Sequence, residues 1–366
     1  MPRLYLEPST DGPAWQDWST ALILAEDRSM GRVSGALAVL LPLAAVLAGV
    51  LPTTAGNLGA VVVLGLLGLL GAIGASTLLT ARRRRRLLAR PWRRCPATVA
   101  ASDEIAAVDR VIVFDGDQAL VLRGTLLDVP SLLLHRQELF LVGPDEKGRA
   151  LIRVAGLCQM FPMKVDTREA RPKEREPGVP GHPPHARAFR RLRRGAHGWR
   201  YAVAIGGLGA VVLVVGLWPL SPLALVVGGV LLALAAVTTP AAVQLSRYYA
   251  QAAAAADAAT EWTSLPITLF PWEPANVVAG LVQMPGRTVL IQFPLPNLDV
   301  IANIADTGTI WIWGNPSDVV AVGAPQLPVL TVGVLQADRD KPPEETQPWL
   351  LRGNDPGLRE IPALRR

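Results

Sequence analysis

Few residues in this sequence have the type and spacing that chemistry needs. The four histidines are His135, His182, His185 and His197. His182 and His185, separated by two prolines, offer two imidazoles, but no cysteine or carboxylate is spaced to complete a four-ligand site. Asp115, Asp117 and Asp128 supply three carboxylates, the donor type a divalent cation prefers. Asp115 and Asp117 flank Gly116, however, and Asp128 falls outside the expected strands, so turn and surface roles explain them. Cys95 and Cys158 form no CxxC and no Cys/His ligand pattern, which predicts two free thiols. Gly206-Gly207-Leu208-Gly209 lies in an apolar run with no strand before it, so it is no dinucleotide loop. No nucleophile elbow, P-loop or HExxH occurs. The expectation is a protein with no catalytic residues, no cofactor and no metal.

Two aromatic residues stand apart. Trp311 and Trp313 are two positions apart on an expected strand, so they share one face while Ile310 and Ile312 share the other. Either that face packs within the molecule, between two β-domains, or it meets a partner.

Charge placement says more than net charge. The chain has 36 Lys+Arg against 30 Asp+Glu, a formal +6. Arg82, Arg83, Arg84, Arg85, Arg86, Arg90, Arg93 and Arg94 form one block without an acid. Arg187, Arg190, Arg191, Arg193, Arg194 and Arg200 form another. Without these fourteen, 22 basic residues face 30 acidic ones. Nucleic-acid binding wants cations spread over a folded face among aromatics, so no nucleic-acid partner is expected. Basic blocks beside apolar runs are a topology signal, and they favour a bilayer with anionic head groups.

Four apolar runs, 33–51, 58–81, 202–217 and 222–245, approach the roughly 20 residues that span a bilayer. No signal peptide is expected. The short connections at 52–57 and 218–222 carry no charge, whereas the Arg blocks follow the second run and precede the third. That bias predicts four transmembrane helices in two hairpins in the plasma (inner) membrane, with both termini and residues 82–200 cytoplasmic. No run carries an ionisable residue in its interior, which counts against ion coupling. Small residues at Gly65, Gly68, Ala72 and Ala75, and at Gly206 and Ala210, provide faces for close helix packing.

The two halves align at a shift of about 170 residues. Trp92 and Pro96 meet Trp262 and Pro266, Gly116 meets Gly286, and Cys95 meets Leu265. With one insertion, 139–143 (LFLVG) meets 310–314 (IWIWG). Each half therefore holds a hairpin followed by a small β-domain. Strands are expected at 97–101, 110–114, 119–123, 138–142 and 150–154 in the first, with a helix at 131–137. In the second they fall at 266–270, 277–283, 288–293, 309–313, 319–322 and 329–334, with a helix at 298–305 capped by Asn297. The fold class is membrane α plus β. The domains run 1–32 (an N-terminal segment), 33–81 (hairpin), 92–165 (β-domain), 166–200 (basic, Pro-rich linker), 202–245 (hairpin), 262–335 (β-domain) and 336–366 (charged tail). The β-domains read as mainly antiparallel barrels or sandwiches of the OB or SH3-like kind. Residues 15–28 form an amphipathic helix carrying Trp15, Trp18, Leu22 and Ala25 on one face, to lie on the membrane or to cover a sheet edge.

A hairpin followed by a small cytoplasmic β-domain resembles families of bacterial membrane proteins, and the architecture is similar to that of NfeD-type proteins. The Ala, Arg, Gly and Pro usage resembles that of a GC-rich, actinobacterial genome. The resemblance brings no functional residues. The leading expectation is a non-enzymatic envelope scaffold with a protein partner or a second copy of itself. A subunit of a transport or secretion system, and a membrane enzyme without a known motif, are the alternatives.

Overall fold

The structure is a computed structural model that describes residues 5–27, 84–100, 109–116, 118–126, 129–168, 170–172, 186–217, 222–270, 272, 277–325 and 327–336. The apolar runs 33–51 and 58–81, with Gly65, Gly68, Ala72 and Ala75, lie outside these residues, as do Arg82, Arg83, His182 and His185.

The first β-domain contains β1 (Arg93–Val99), β2 (Asp109–Asp115), β3 (Gln118–Gly124), α1 (Val129–Arg136), β4 (Glu138–Val142), β5 (Arg149–Arg153) and β6 (Phe161–Val165). Three helices follow: α2 (Ala186–Gly195), α3 (Trp199–Leu217) and α4 (Pro222–Asp257). The second β-domain contains β7 (Trp262–Leu269), β8 (Val278–Met284), β9 (Arg287–Phe293), α5 (Leu298–Thr307), β10 (Thr309–Trp313), β11 (Val319–Gly323) and β12 (Leu330–Gln336). Each domain is a closed six-stranded barrel, ordered β1-β2-β3-β6-β5-β4 and β7-β8-β9-β12-β11-β10, with every pairing antiparallel. One helix joins the third and fourth strands of each. The second barrel has the six strands expected, and the first has one more than the five expected. The added strand is β6, where Phe161, Met163 and Val165 alternate with exposed Pro162 and Lys164 over only five residues, and six strands replace the five of an OB or SH3-like barrel.

Register explains the cores. Residues directly paired across strands point to the same side. Cys95–Leu139, Ala97–Val113, Val111–Leu122 and Leu141–Ile152 are such pairs in barrel 1, and all eight residues are buried. In barrel 2, Leu265–Ile310, Ile267–Val282 and Ile312–Val322 do the same. Gly116 and Gly286 adopt positive φ (63° and 76°) at the matching hairpins, and Gly143 and Gly314 (98° and 95°) just after β4 and β10. Only glycine takes these angles without strain.

The chain divides into two compact units, one of residues 1–26, 83–192 and 251–366, which holds both barrels, and one of 27–82 and 193–250. In the second unit, α3 and α4 pack closely. A Cβ placed on Gly206 would lie 3.2 Å from the Ala235 Cβ, and one on Gly228 2.8 Å from the Leu213 Cβ. Gly206 is half-buried, Gly209 is buried and Ala210 is exposed. The contacts shown are therefore Gly206 with Ala235 and Leu213 with Gly228. Among the described residues no single helix is long and apolar enough to cross a membrane, and one bent pair, 188–195 with 199–214, is so by length and composition.

Candidate functional site

The most elaborate chemistry among the described residues lies where residues 5–27 meet the two barrels. A helical run begins at Trp18, not at Trp15, which sits in a short 3-10 turn and is 49% exposed. Asp17 starts this helix. Its Oδ2 accepts from the Thr20 backbone N–H (2.8 Å) and from the Ser19 and Thr20 hydroxyls (2.6 and 2.8 Å), and its Oδ1 accepts from Ser9 N–H (3.0 Å). A carboxylate at a helix N-terminus is stabilised by the orphan amides there. The buried face is polar as well as apolar, with Ser19 and Thr20 beside Leu22, Ile23 and Leu24. A closed barrel has no free edge, so this segment covers a barrel wall instead.

Its partner in that wall is Arg153. Paired with Phe140 across β4 and β5, Arg153 points outward from barrel 1, opposite to Ile152. The segment covers it completely, leaving 0% exposure. Its Nη1 lies 3.1 Å from Asp17 Oδ2 and donates to Ser19 Oγ (2.8 Å), while its Nε donates to the Leu157 carbonyl (2.5 Å). Trp92 Nε1 donates to Thr20 Oγ1 (3.2 Å). Taking a guanidinium and a carboxylate out of water costs several kcal/mol each, and only such dense bonding offsets it.

The barrels meet beside this pair. The turn after β5 lies against α5, whose Asn297 caps it by accepting from Asp299 and Val300 N–H (3.0 and 3.3 Å). Asp299 Oδ1 accepts from the backbone N–H of Cys158 (2.6 Å) and Gln159 (3.1 Å). Asn303 Nδ2 donates to the Gly156 carbonyl (2.7 Å), and its Oδ1 accepts from Leu6 N–H (3.0 Å). Gly156 N–H donates to the Leu6 carbonyl (2.7 Å), and Tyr5 Oη donates to the Pro325 carbonyl (2.8 Å). Two side chains of one helix therefore read backbone from barrel 1 and from the N-terminal segment together. Burial pushes the Asp299 carboxyl up, against the pull of the two N–H groups and Arg153. Burial also raises the Cys158 thiol, so it is a poor nucleophile.

The expected surface residues fall elsewhere. Trp313 is 4% exposed, with its ring edge-on to Trp262 (5.2 Å) and Phe189 (6.4 Å) and its Nε1 donating to the Ala256 carbonyl (2.9 Å). It is an internal contact rather than a free face, and Trp311 is half-buried against the core. The first Arg block is partly engaged within barrel 1. Arg93 bonds Asp115 (2.6 Å) and the Gly143 carbonyl (2.7 Å), Arg94 bonds Glu138 (2.8 Å), and Arg90 bonds the Pro144 carbonyl (2.9 Å). Asp115 is thereby tied to a cation. Arg85, Arg86, Arg190, Arg191, Arg193 and Arg194 are exposed. Sequence reading missed Asp17, Arg153, Asp299 and Asn303. The signal was there in part: Arg153 breaks an apolar strand, and Asp17-Trp18-Ser19-Thr20 carries an N-cap signature.

A cleft of about 450 Å³ borders this region, lined by Glu7, Asp11, Asp17, Trp18, Arg94 and Asp306 among others. Among the described residues no group of three or more His, Cys, Asp or Glu could hold a metal ion. No family model matches the sequence, and no curated protein or solved structure matches the chain.

Proposed function

We propose that this chain is a duplicated, non-enzymatic integral membrane protein whose paired cytoplasmic barrels present an interaction platform in the plasma membrane. The observation that carries the reading is the seam. Asp299 and Asn303 join barrel 2 to barrel 1, and the buried Asp17–Arg153 pair beside them fastens the N-terminal segment to barrel 1. A buried ion pair contributes little net stability compared with apolar packing, and its best-attested use is to specify one arrangement. A fixed arrangement of two barrels suits a scaffold. Duplication is supported by the shared strand order and by matching positive-φ glycines.

Membrane insertion is supported by α3, where Tyr201, Leu208, Val211 and Val214 are 57–77% exposed, an apolar surface that water disfavours. Residues 222–246 add a stretch without Asp, Glu, Lys or Arg. The partner is a protein or a second copy of the chain. Mild crosslinking in isolated membranes followed by affinity capture tests the reading. A discrete partner or dimer lost in Arg153→Ala is the expected result. Extraction of the chain by alkaline carbonate, or crosslinks unchanged when the seam is broken, refutes it.

A further inference from the structure

The two barrels differ in what lies along one overhanging strand end. Barrel 2 closes where β10 begins, with Thr309 opposite Pro266, yet β7 runs on to Leu269. Ile267 N–H donates to the Gly308 carbonyl (3.0 Å), and Phe270 N–H faces the other way, to the Ala279 carbonyl on β8 (2.9 Å). Backbone groups alternate in direction along a strand, so those of Leu269 face away from β8, where β10 no longer supplies a partner. A cleft of about 240 Å³ lies there, between Leu269 and Phe270 and the carboxyl end of α5. Trp272 lines it and is 5% exposed, and its Nε1 is buried with no acceptor among the described residues. Buried donors are nearly always paired, so this one marks a place for an acceptor. Asp306 is the one ionisable residue among those described on the lining, and the negative end of the α5 dipole lies beside it.

Barrel 1 shows what such an overhang takes. Ala97 N–H donates to the Gln137 carbonyl (2.8 Å), the counterpart of the Ile267–Gly308 bond. Beyond it Ala100, which matches Phe270, pairs antiparallel with Pro172. Ala100 N–H is already spent on the Arg110 carbonyl of β2 (2.9 Å), and proline has no N–H. The bridge therefore lies on the side away from β2, and residues flanking the pair carry its bonds. The chain's own Arg171-Pro172 fills this edge.

We propose that the barrel 2 cleft docks an extended segment of a partner protein in which Arg or Lys precedes proline, added as a short antiparallel strand beyond β7. The proline lies opposite Phe270, where no main-chain donor is needed. The residue after it exchanges bonds with Leu269. The cation is drawn to Asp306 and the carboxyl end of α5, and a carbonyl of the segment accepts from Trp272 Nε1. The inference rests on the platform reading and gives that partner its chemistry and its place. The competing occupant is the chain's own Lys341-Pro342, which stands 170 residues from Arg171-Pro172.

The probe is a fluorescent peptide, acetyl-Ala-Arg-Pro-Val-Ala-amide, titrated against the full chain in phosphatidylcholine nanodiscs. Saturable binding is expected, with the indole N–H NMR signal of Trp272 moving downfield. Glu in place of the peptide's Arg should weaken binding about tenfold, and N-methylation of its Val, which removes the donor to the Leu269 carbonyl, should do the same. Trp272→Phe should weaken it about fivefold and Asp306→Asn about threefold, the second deciding if the first fails to fold. Deleting 337–366 should change nothing. Binding that survives N-methylation or charge reversal, or that leaves the Trp272 signal in place, overturns the inference. Binding gained only after that deletion assigns the cleft to Lys341-Pro342 and overturns the partner. No binding, with the crosslinked partner still captured, overturns this inference and leaves the platform reading standing. Binding with no crosslinked partner or dimer overturns the platform reading and leaves the cleft standing.

Discussion

The two barrels cover the same part of their wall in opposite ways. In barrel 1 the outer face of β4 and β5 lies under residues 5–27, and the contact is ionic, Arg153 on Asp17. In barrel 2 the outer face of β10 meets the carboxyl end of α4 and Phe189, and the contact is aromatic, with one N–H bond from Trp313. The position matching Arg153 at the shift of about 170 is Gly323. A Cβ there would meet the Leu330 side chain at 2.7 Å, the Val329 carbonyl at 2.9 Å and the Trp262 ring at 3.3 Å. Asn303, an α5 side chain that reads barrel 1, matches Leu132 on α1, which is buried and apolar. One architecture therefore carries an apolar cap at one site and a polar lock at the other. The lock is directional and specifies a single arrangement, whereas the apolar cap mainly contributes stability.

Breaking the lock should cost most. Arg153→Leu leaves a buried carboxylate without its cation, and about 3–5 kcal/mol of stability should be lost. Thermal melting of the full chain should show it, and protease should then reach residues 5–27. Adding Asp17→Leu should restore much of the loss. A double variant as unstable as the single one would mean that the pair's partners, not its charges, set the cost. Next comes Asn303→Leu, which installs the residue found on α1. It removes the partners of Leu6 N–H and the Gly156 carbonyl, and about 2–3 kcal/mol should go. Faster amide exchange at Leu6 and Gly156, with barrel 1 strands unchanged, is the expected signature. Trp313→Phe keeps the ring but frees the Ala256 carbonyl, and the aromatic cap should weaken by only about 1 kcal/mol. A drop in melting temperature as large as that of Arg153→Leu would reverse the ranking of the two caps.

The smallest effect is a pH response confined to barrel 1. The Arg149 guanidinium, donating to Asp145 at 2.6 and 2.9 Å, holds that carboxyl at about 2. A depressed folded-state value means that the stabilisation is present above the ordinary range near 4 and is lost as pH falls toward 2. The pair is partly exposed, so its contribution is under about 1 kcal/mol. Carboxyl NMR shifts should place the midpoint near 2, and Arg149→Gln should return it toward 4.

The strands were legible because each is a short run of Val, Ile and Leu between turn residues. At 138–142 and 309–313 the expected and observed strands coincide. β1 and β7 were read too short at their starts, because Arg93-Arg94 and Trp262-Thr263-Ser264 lack an apolar alternation. The seam was illegible for a different reason. Arg153 and Asp17 are 136 residues apart, and Cys158 and Asp299 are 141 apart. Periodicity and spacing report neighbours along a helix or strand, and nothing local in a sequence names a partner that distant. Trp311 and Trp313 were read correctly as sharing a face. What covers that face depends on Phe189 and Ala256, again far away in the chain.

The hydrogen bond from Leu6 N–H to Asn303 Oδ1 spans 297 residues. Translation at ~5–20 residues per second leaves the N-terminal segment waiting about 15–60 seconds for that acceptor to be made. Barrel 1 can recruit Asp17 to Arg153 soon after β5 emerges. The bonds from Leu6 N–H to Asn303 and from the Tyr5 hydroxyl to the Pro325 carbonyl form only once α5 and the turn at Pro325 have been made. Residues 5 and 6 are thus made long before the groups of the second half that complete their fastening, which gives the nascent chain a built-in signal that its second half has arrived.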